Sequence, residues 1–389
     1  MKEIDCEILI VGSGLVGLVA AHSLSSLNFR VLLVDKKNFL DPKLSFQDNR
    51  TVAVSEGSKQ FLEGLSLWND LKQYAEPIKK IEVFDRSPKN KIEFRNSISN
   101  QNLGYVIENQ KFSRVLIDRL NKFEKTKTIY GFDVSNLQFE KGMCKASSEK
   151  LTITSKLLVA ADGKNSKIRN IVGTKMFKKT YPENALVLTF EHEKNINNTA
   201  YEIFYKTGPL AILPMHSKKK YKSTLIWSNN KKILDKMANL NSIFFKNFIE
   251  EKIVDYVGNI KKIHSCQFFP LSAHLNESFY GNRIVYVGDS AHSIHPIAGQ
   301  GWNLGVSDVK KLFKTSKNLR DQIGTISFCK EYNDLTYNKA FQLYQITDKL
   351  NSHFKQKNLL YRQLSNIGFG FIENAHVIKN KISKYAMGI

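Results

Sequence analysis

Residues 6–17 of this 389-residue chain run Cys-Glu-Ile-Leu-Ile-Val-Gly-Ser-Gly-Leu-Val-Gly. The apolar run before the first glycine predicts a buried parallel strand, and residues 15–27, small and apolar, predict a tightly packed helix. Asn28 tolerates the left-handed conformation that ends a helix. Residues 29–34 predict a second buried strand, which ends at Asp35. Together these segments predict a βαβ unit of about 30 residues.

The three glycines, Gly12, Gly14 and Gly17, have the spacing of a dinucleotide-binding turn. Gly12 makes the tight turn, Gly14 leaves room for a pyrophosphate, and Gly17 lets the helix pack on the sheet. The helix N-terminus offers free N–H groups to phosphates, and a carboxylate at Asp35 accepts hydrogen bonds from ribose hydroxyls. An ordinary glycine turn is the alternative. The strand before it, the helix after it and the acidic residue at the end of the next strand disfavour that alternative.

Two more apolar segments, 156–160 and 283–287, are each followed by an aspartate and a glycine. The pairs are Asp162-Gly163 and Gly288-Asp289. Both predict strand ends that deliver a loop to a ligand. Asp289 is placed to hold the hydroxyls of a sugar-alcohol chain. The loop at 299–301 (Gly-Gln-Gly) runs into a predicted helix and offers backbone N–H groups to an electron-poor ring or an oxyanion.

Between residues 176 and 274 the sequence contains several patches rich in β-forming residues, which predict an antiparallel sheet. Residues 81–85 and 91–94 predict a hairpin that belongs to it. Apolar residues at helical spacing predict a helix whose stripe forms core or a lid, namely Leu343, Ile346, Leu350 and Phe354. Asp162 has a second interpretation as the cap of the helix that leads to Arg169.

The charge is strongly basic: 58 Lys and Arg against 36 Asp and Glu leave a formal net charge of +22. Such a balance suits nucleic acid or a membrane surface. The lysines are spread in pairs, with one denser run over residues 218–222, which favours a composition bias on exposed positions. No nucleic-acid recognition pattern accompanies them, so no nucleic-acid partner is expected.

The four cysteines (Cys6, Cys144, Cys266 and Cys329) lie far apart and lack metal-ligand spacing, which favours a reducing compartment without structural zinc. His292 and His295 are expected to make hydrogen bonds that shape a loop rather than to bind metal, and Trp302 to pack. The longest uncharged stretch, residues 8–21, is too short for a membrane span. Acidic residues at positions 3, 5 and 7 do not fit a signal peptide, so a cytoplasmic protein is expected.

At these motifs the chain resembles the single-component aromatic hydroxylases that bind FAD, in residues 12–17 with Asp35, in Asp162-Gly163, and in residues 288–305. Within that class it is similar to the ubiquinone-biosynthesis hydroxylase family. The segments that carry this similarity are residues 48–55, 104–109, 291–305 and 347–354, together with Arg362 and residues 386–388. Two positions depart from the family: it usually has Glu at Asp35 and often Arg at Ser307.

The resemblance implies an α/β fold, with a Rossmann-like FAD-binding domain of the GR2 type (para-hydroxybenzoate-hydroxylase-like), a β-sheet substrate domain and C-terminal helices. The FAD-binding domain is expected to be discontinuous, over residues 1–75, 105–175 and 275–340. The substrate domain is expected over 76–104 and 176–274, and the C-terminal helical segment over 341–389.

The resemblance also implies the cofactor site. The ADP half of FAD is expected to be bound by Gly12, Gly14, Gly17 and Asp35. Its pyrophosphate or ribityl chain is expected near Arg50 and Asn109, and the ribityl hydroxyls at Gly288 and Asp289. The isoalloxazine is expected to face Pro296, Gly299, Gln300, Gly301 and Asn303. Asp162, Gly163 and Arg169 are expected to serve FAD and transient NAD(P)H contact. For the substrate, the expected residues are Leu213, Pro214, His295 and Pro296, with residues 210–215 as an apolar wall.

The implied activity is a monooxygenase reaction in ubiquinone biosynthesis on a polyprenylated phenol or benzoquinol ring. NADH or NADPH reduces FAD, O₂ gives a C4a-hydroperoxyflavin, and the ring attacks its distal oxygen. The alternatives are an FAD-dependent hydroxylase or reductase acting on another aromatic or isoprenoid substrate, and a non-catalytic scaffold in a quinone-synthesis complex. Because the substrate is lipid-soluble, residues 218–222 and the C-terminal Lys379, Lys381 and Lys384 are expected to hold the enzyme near anionic lipid at the inner face of the membrane. Association with a quinone-synthesis complex is a separate expectation.

Overall fold

The computed structural model of the chain describes residues 2–37, 48–85, 91–95, 102–218 and 220–354. In chain order the strands are β1 Lys2–Val11, β2 Val31–Asp35, β3 Thr51–Ser55, β4 Glu76–Ile78, β5 Lys80–Phe84, β6 Lys91–Arg95, β7 Gly104–Glu108, β8 Thr126–Tyr130, β9 Asn136–Glu140, β10 Met143–Ser147, β11 Leu151–Ala160, β12 Met176–His192, β13 Thr199–Tyr205, β14 Gly208–Met215, β15 Tyr221–Asn230, β16 Ile260–Asn276, β17 Tyr280–Gly281, β18 Ile284–Tyr286 and β19 His292–Ser293. The helices are α1 Leu15–Ser26, α2 Glu56–Gly64, α3 Trp68–Leu71, α4 Asn109–Leu120, α5 Lys167–Val172, α6 Lys231–Ala238, α7 Ser242–Val257, α8 Gly301–Asn318 and α9 Ile326–Phe354.

The first sheet holds the predicted βαβ unit and has the strand order β17-β18-β11-β1-β2-β8, with β10 and β9 added beside β11. β1 pairs in parallel with both β2 and β11. Its residues 8–11 are buried, as expected for a parallel strand covered on both faces. Asn28 has φ of 64°, which confirms the left-handed residue predicted at the end of α1.

The second sheet is antiparallel over most of its length and has the order β19-β16-β12-β15-β14-β13-β5-β6. The predicted hairpin is confirmed, since β5 pairs with β6 and also joins β13 in parallel. α6 and α7 were not predicted. α7 buries Phe245, Ile249, Ile253 and Val257 against this sheet, but the exposed Ile243 and Phe244 beside them blur the helical pattern in the sequence.

A third sheet, β3-β7-β4, was also not predicted. Its strands pack on two sides: Val54 and Ile107 belong to the core of the first sheet, whereas Ile78 and Val106 contact residues of the second sheet. β4 therefore pairs with β7 and not with the sheet that the sequence assigned to it. The proposed domain boundaries stay predictions.

The long helix α9 is confirmed, but its buried face differs from the predicted stripe. Ile346 and Leu350 are exposed, at 44% and 37% of their surface. The buried face follows the spacing of Phe328, Cys329, Tyr332, Thr336, Ala340, Leu343, Thr347 and Asn351. Polar residues on that face conceal it from a hydrophobic pattern, because their hydroxyl groups bond the helix backbone, as Thr347 does at 2.9 Å to the carbonyl of Leu343. Residues 355–389, including the basic and family-like C-terminal positions, lie outside the described residues.

Candidate functional site

The glycine turn after β1 is shaped by close backbone approach. Gly12 has φ of +110°, and a Cβ there would lie 2.3 Å from the carbonyl oxygen of Ala161. A Cβ at Gly17 would lie 1.9 Å from the carbonyl oxygen of Gly12, so only glycine lets α1 pack this close to the turn. A Cβ at Gly14 would meet no atom within 4 Å. The turn therefore leaves open space at the helix N-terminus, where a phosphate is stabilised by free N–H groups.

Asp35, at the carboxyl end of β2, is held by its neighbours. Its Oδ2 accepts hydrogen bonds from the backbone N–H of Ser13 at 2.7 Å and from the Ser13 hydroxyl at 3.0 Å. Its Oδ1 accepts from the backbone N–H of Lys37 at 2.9 Å. Asp35 lines a small cleft together with Gly12 and Asp162. The structure thus brings the predicted carboxylate to the mouth of the glycine turn.

Asp162 caps a helix, as one of its two interpretations predicted. Its Oδ2 accepts from the backbone N–H groups of Lys167 at 2.7 Å and Ile168 at 3.1 Å, at the start of α5. Its Oδ1 is buried and has no hydrogen-bond partner among the described residues. Burial raises the pKa of this carboxyl. Capping leaves one oxygen for the cleft, so a cofactor contact by Asp162 stays a prediction.

Arg169 is only 4% exposed, and its guanidinium is used within the protein. It donates to the carbonyl oxygens of Ser290 at 3.2 Å and Lys164 at 2.8 Å, and its Nη1 lies 3.1 Å from Nε2 of His274. Burial and then the Arg169 charge lower the pKa of His274 to about 3, so this imidazole is neutral. These contacts indicate a positioning role for Arg169, which joins β16 to the two loops that end at Gly163 and Asp289.

The carboxylate of Asp289 is open to solvent. Gly288 before it has φ of +59° and donates its N–H to Asp308 at 3.0 Å, which holds the turn. The Asp289 side chain is exposed and has no hydrogen bond or ion pair among the described residues. It lies within electrostatic reach of Arg50 and Lys164.

Arg50 and Asn109 meet at Asp48, a residue that the sequence analysis placed in a motif but gave no role. Arg50 binds the Asp48 carboxylate through Nε at 2.7 Å and Nη2 at 2.9 Å. Asn109 donates to the same carboxylate at 3.2 Å. Burial opposes ionisation of Asp48, but these bonds outweigh it and lower its pKa. The guanidinium also lies 5.7 Å from the ring centre of Phe269 on β16, so it stands between the two large sheets.

The loop that carries Pro296, Gly299, Gln300 and Gly301 runs into the N-terminus of α8. Asn303 secures it: its side-chain oxygen accepts from the backbone N–H of Ser55 and from the Ser58 hydroxyl, each at 2.9 Å, and its amide donates to the carbonyl of Ala53 at 2.8 Å. This side chain is therefore directed at β3 and α2, and the predicted position of Asn303 at the isoalloxazine stays a prediction. A Cβ at Gly301 would meet no atom within 4 Å, so the backbone there is open to a ligand.

The two histidines of the loop make structural contacts. His292 is buried, and its Nε2 lies 2.6 Å from Asp308, which confirms the prediction of a loop-shaping hydrogen bond. His295 packs edge-on against Tyr181 with ring centres 5.0 Å apart, and its Nε2 lies 3.5 Å from the Glu183 carboxylate. Trp302 packs beside Phe112, as predicted.

The predicted apolar wall of β14 is wrong for half of its residues. Because side chains alternate along a strand, Leu210, Ile212 and Pro214 lie on one face, and the first two are core residues against α7. Leu213 and Met215 lie on the other face, which contacts Val106 of the third sheet. Of the predicted pair, Leu213 is thus on the side of the glycine loops and Pro214 is not.

These observations fit a dinucleotide with a sugar-alcohol chain. The open space at Gly14 suits a pyrophosphate, Asp35 lies where a ribose would be bound, and the partner-free Asp289 carboxylate can accept from several hydroxyls. The open backbone at Gly301 and the N-terminus of α8 suit the electron-poor end of the molecule. The fold and the site together define a flavin-binding α/β protein with a second sheet beside the flavin loop.

The model of the FAD binding domain family matches residues 5–319, and the chain belongs to this family. FAD is therefore its cofactor. The chain is 27% identical over 386 residues to ubiquinone hydroxylase UbiL of Rhodospirillum rubrum, covering 98% of this chain and 89% of that protein. It is 25% identical to 3-demethoxyubiquinol 3-hydroxylase of Escherichia coli, covering 100% of each chain. Both matches confirm the predicted resemblance to ubiquinone-biosynthesis hydroxylases.

Among solved structures, the chain is similar to p-nitrophenol 4-monooxygenase PnpA from Pseudomonas putida, with a TM-score of 0.81 at 15% identity over 100% of this chain and 99% of that one. The shared fold confirms the predicted fold class. Sequence reasoning missed Asp308, which joins Gly288 to His292, and Glu202, which lies on the second sheet. Neither was given a role. Asp308 on α8 acquires its partners from the loop 16 to 20 residues earlier, and Glu202 acquires its surroundings only when the strands of the second sheet pair.

Proposed function

We propose that the chain is an FAD-dependent monooxygenase that hydroxylates the ring of a polyprenylated phenol or benzoquinol in ubiquinone biosynthesis. The observation that carries this proposal is the full-length similarity to two ubiquinone hydroxylases, in a chain whose glycine turn and Asp289 fit FAD. NADH or NADPH is the reductant typical of such enzymes.

Bound FAD supplies the redox chemistry, which is electron transfer from NAD(P)H and activation of O₂. The chain supplies binding, orientation and exclusion of water. The turn at Gly12 and Gly14 and the N-terminus of α1 bind the pyrophosphate, Asp289 accepts from the ribityl hydroxyls, and Asn303 holds the loop before α8 in place. The second sheet covers this loop and contributes an apolar face that suits a lipid-soluble ring.

The experiment is a reaction of the purified, FAD-loaded protein with O₂, NADH or NADPH, and a short-chain prenylated phenol, with products identified by mass spectrometry. The expected product is one oxygen atom heavier than the phenol. Consumption of NAD(P)H without a hydroxylated product, and with reduction of the organic substrate, would favour a reductase. A protein that stays colourless and cannot be loaded with FAD would favour a scaffold. Deletion of the gene and mass spectrometry of the accumulated prenyl intermediate identify the ring position.

We also propose that the enzyme binds peripherally to an anionic membrane surface, through the tip formed by α6 and α7. Three apolar side chains are exposed there: Leu240 at 42%, Ile243 at 68% and Phe244 at 64%. Lys231, Lys232 and Lys236 lie beside them on α6, all exposed. Apolar residues flanked by lysines suit insertion at the headgroup level of an anionic bilayer.

In the lysine run at 218–222, which the sequence analysis assigned to the membrane, two lysines lie near carboxylates. Lys220 binds Glu191 at 2.8 Å, and Lys222 lies 4.0 Å from Glu108, so part of the charge of the run is neutralised. Among the described helices, none is long and apolar enough to cross a bilayer.

Liposome co-sedimentation tests the membrane proposal. The double variant Ile243→Ser/Phe244→Ser is expected to lose most binding to vesicles that contain phosphatidylglycerol. The control Ile326→Ser, at a site 62% exposed on α9, is expected to bind as the wild type does. Equal binding of the wild type to neutral and anionic vesicles, or full binding by the double variant, contradicts the proposal.

A further inference from the structure

One face of the second sheet is turned toward the loop before α8, which is proposed to hold the flavin. On this face Ala200, Leu213 and Met215 belong to one apolar cluster with Val106 of the third sheet. Val106 pairs with Ala53, and a Cβ at Gly299 would lie 3.6 Å from the Cβ of Ala53. The contacts therefore run from the second sheet, through the third, to the flavin loop. The opposite face packs against α7.

A row of side chains crosses this face from β16 to β13. The register pairs Gln267 with Val187, Val187 with Ile226, Ile226 with Ala211, and Ala211 with Glu202. All five are half-buried. Their neighbours along β12 and β15 on the same face are buried, namely Ala185, Thr189, Thr224 and Ser228. On β12 and β15 the row is therefore an open trough between buried neighbours, and its middle is apolar.

Glu202 ends this trough and is its acidic member. On the same face its strand neighbours are Ala200 and Phe204, and it lies opposite Ala211 on β14 and Val83 on β5. Burial among these apolar groups raises the pKa of Glu202 to about 8, so the carboxyl is protonated at neutral pH. It has no hydrogen bond or ion pair among the described residues.

The surroundings of a second glutamate, Glu82, differ from those of Glu202. Glu82 lies on the opposite face of the same sheet, on the strand beside β13, and its carboxylate binds Lys80 at 2.8 Å and Lys91 at 3.0 Å. The hydrogen bonds from these lysines outweigh burial and lower the pKa of Glu82. The Glu202 carboxyl has no such partners among the described residues and is only half-buried, so its oxygens stay available to a polar group that enters the trough.

We propose that Glu202 hydrogen-bonds a ring oxygen of the substrate, a phenolic hydroxyl or the oxygen of a ring methoxy group, and so sets which ring carbon faces the flavin. The inference rests on the ring hydroxylation proposed above. A neutral carboxyl suits both groups, because its O–H donates to either oxygen and its carbonyl oxygen accepts from a phenolic O–H. Val187, Ile226 and Ala211 provide the apolar floor on which the ring lies.

The test compares FAD-loaded wild type, Glu202→Leu and Glu202→Gln, with Glu82→Gln as the control on the opposite face. The probes are 2-geranylphenol and its 6-methoxy derivative. Glu202→Leu is expected to raise KM for 2-geranylphenol ~10-fold. The dissociation constant, measured from the change in flavin absorbance, is expected to rise by the same factor. It is also expected to mix the ring positions that are hydroxylated and to lower the product formed per NAD(P)H consumed.

Glu202→Gln keeps a donor and an acceptor and is expected to retain most of the affinity and the product ratio. Glu82→Gln is expected to match the wild type in both. A Glu202→Leu enzyme that holds FAD and keeps the wild-type affinity and product ratio overturns the role of Glu202. If the wild type hydroxylates neither phenol, the proposed function fails, and the absorbance titration still tests whether Glu202 contributes to phenol binding.

Discussion

At the residue scale, the proposed cofactor site has Asp289 at its centre, a carboxylate that makes no hydrogen bond or ion pair among the described residues. Asp289→Ala removes the proposed acceptor for the ribityl hydroxyls, and each lost hydrogen bond to a charged group weakens binding about tenfold. We expect apo-protein with this change to bind FAD ~10- to 100-fold more weakly in a fluorescence titration. Asp321→Ala is the control, because its side chain is exposed and distant in the sequence from the predicted FAD residues.

The raised pKa of Glu202 also predicts that the stability of the fold depends on pH. Its ordinary pKa of 4.5 rises to about 8 in the fold, so between these values the folded state holds a proton that the unfolded chain has lost. Stability from this group therefore falls as pH rises from 4.5 to 8. Glu202→Gln does not titrate, so its melting temperature relative to the wild type is expected to increase across that window. A constant difference between pH 5 and pH 8.5 would contradict a raised pKa.

Some residues of the site were predictable and others were not. Gly12, Gly14 and Gly17 followed from their spacing after a strand, because a tight turn and close helix packing both exclude a Cβ. Arg169 and Asn303 were also identified, but not their partners. His274 and Ser290 are 105 and 121 residues from Arg169, and the partners of Asn303 on β3 and α2 are 245 to 250 residues away, so only the fold shows that both side chains bind protein groups.

At the element scale, the N-terminus of α8 is positioned by a single side chain. Asn303 makes hydrogen bonds to Ala53, Ser55 and Ser58, and its removal leaves two backbone groups of β3 unpaired. Asn303→Ala is therefore expected to lower the free energy of unfolding by ~2 kcal/mol and to weaken FAD binding. Asn318→Ala, at the exposed end of the same helix, is the control and is expected to change neither quantity. Urea denaturation with and without FAD measures both.

The helices and strands differ in how clearly their hydrophobic pattern predicts their type and their buried face. The second half of β1, most of α1 and all of β2 are buried, so apolar residues dominate these segments and the pattern is plain. α9 buries hydroxyl and amide side chains beside its apolar ones, and its true face is therefore hidden from a hydrophobic pattern. The short strand β3 is recognisable only with its partner β7, which lies about 50 residues further along the chain.

At the scale of the whole molecule, α9 is tied to the second sheet by Asp348. Its carboxylate binds Lys179 at 2.6 Å and accepts from the Tyr181 hydroxyl at 3.0 Å. The ion pair is partly exposed and contributes little to global stability. Asp348→Ala is therefore expected to change the free energy of unfolding by less than ~1 kcal/mol, but to speed amide hydrogen exchange in the last turns of α9 and at the start of β12. Unchanged exchange there would contradict this link.

The sequence by itself determined the class of cofactor, because the glycine spacing, the carboxylate after β2 and the Gly288-Asp289 pair are local requirements of one chain segment each. The tertiary structure decided what lies opposite that cofactor. The trough that ends at Glu202 contains one residue from each of five strands, drawn from residues 187 to 267. Its openness and the raised pKa of Glu202 arise only when these strands pair, since solvent access and local polarity belong to the assembled sheet and not to any one segment.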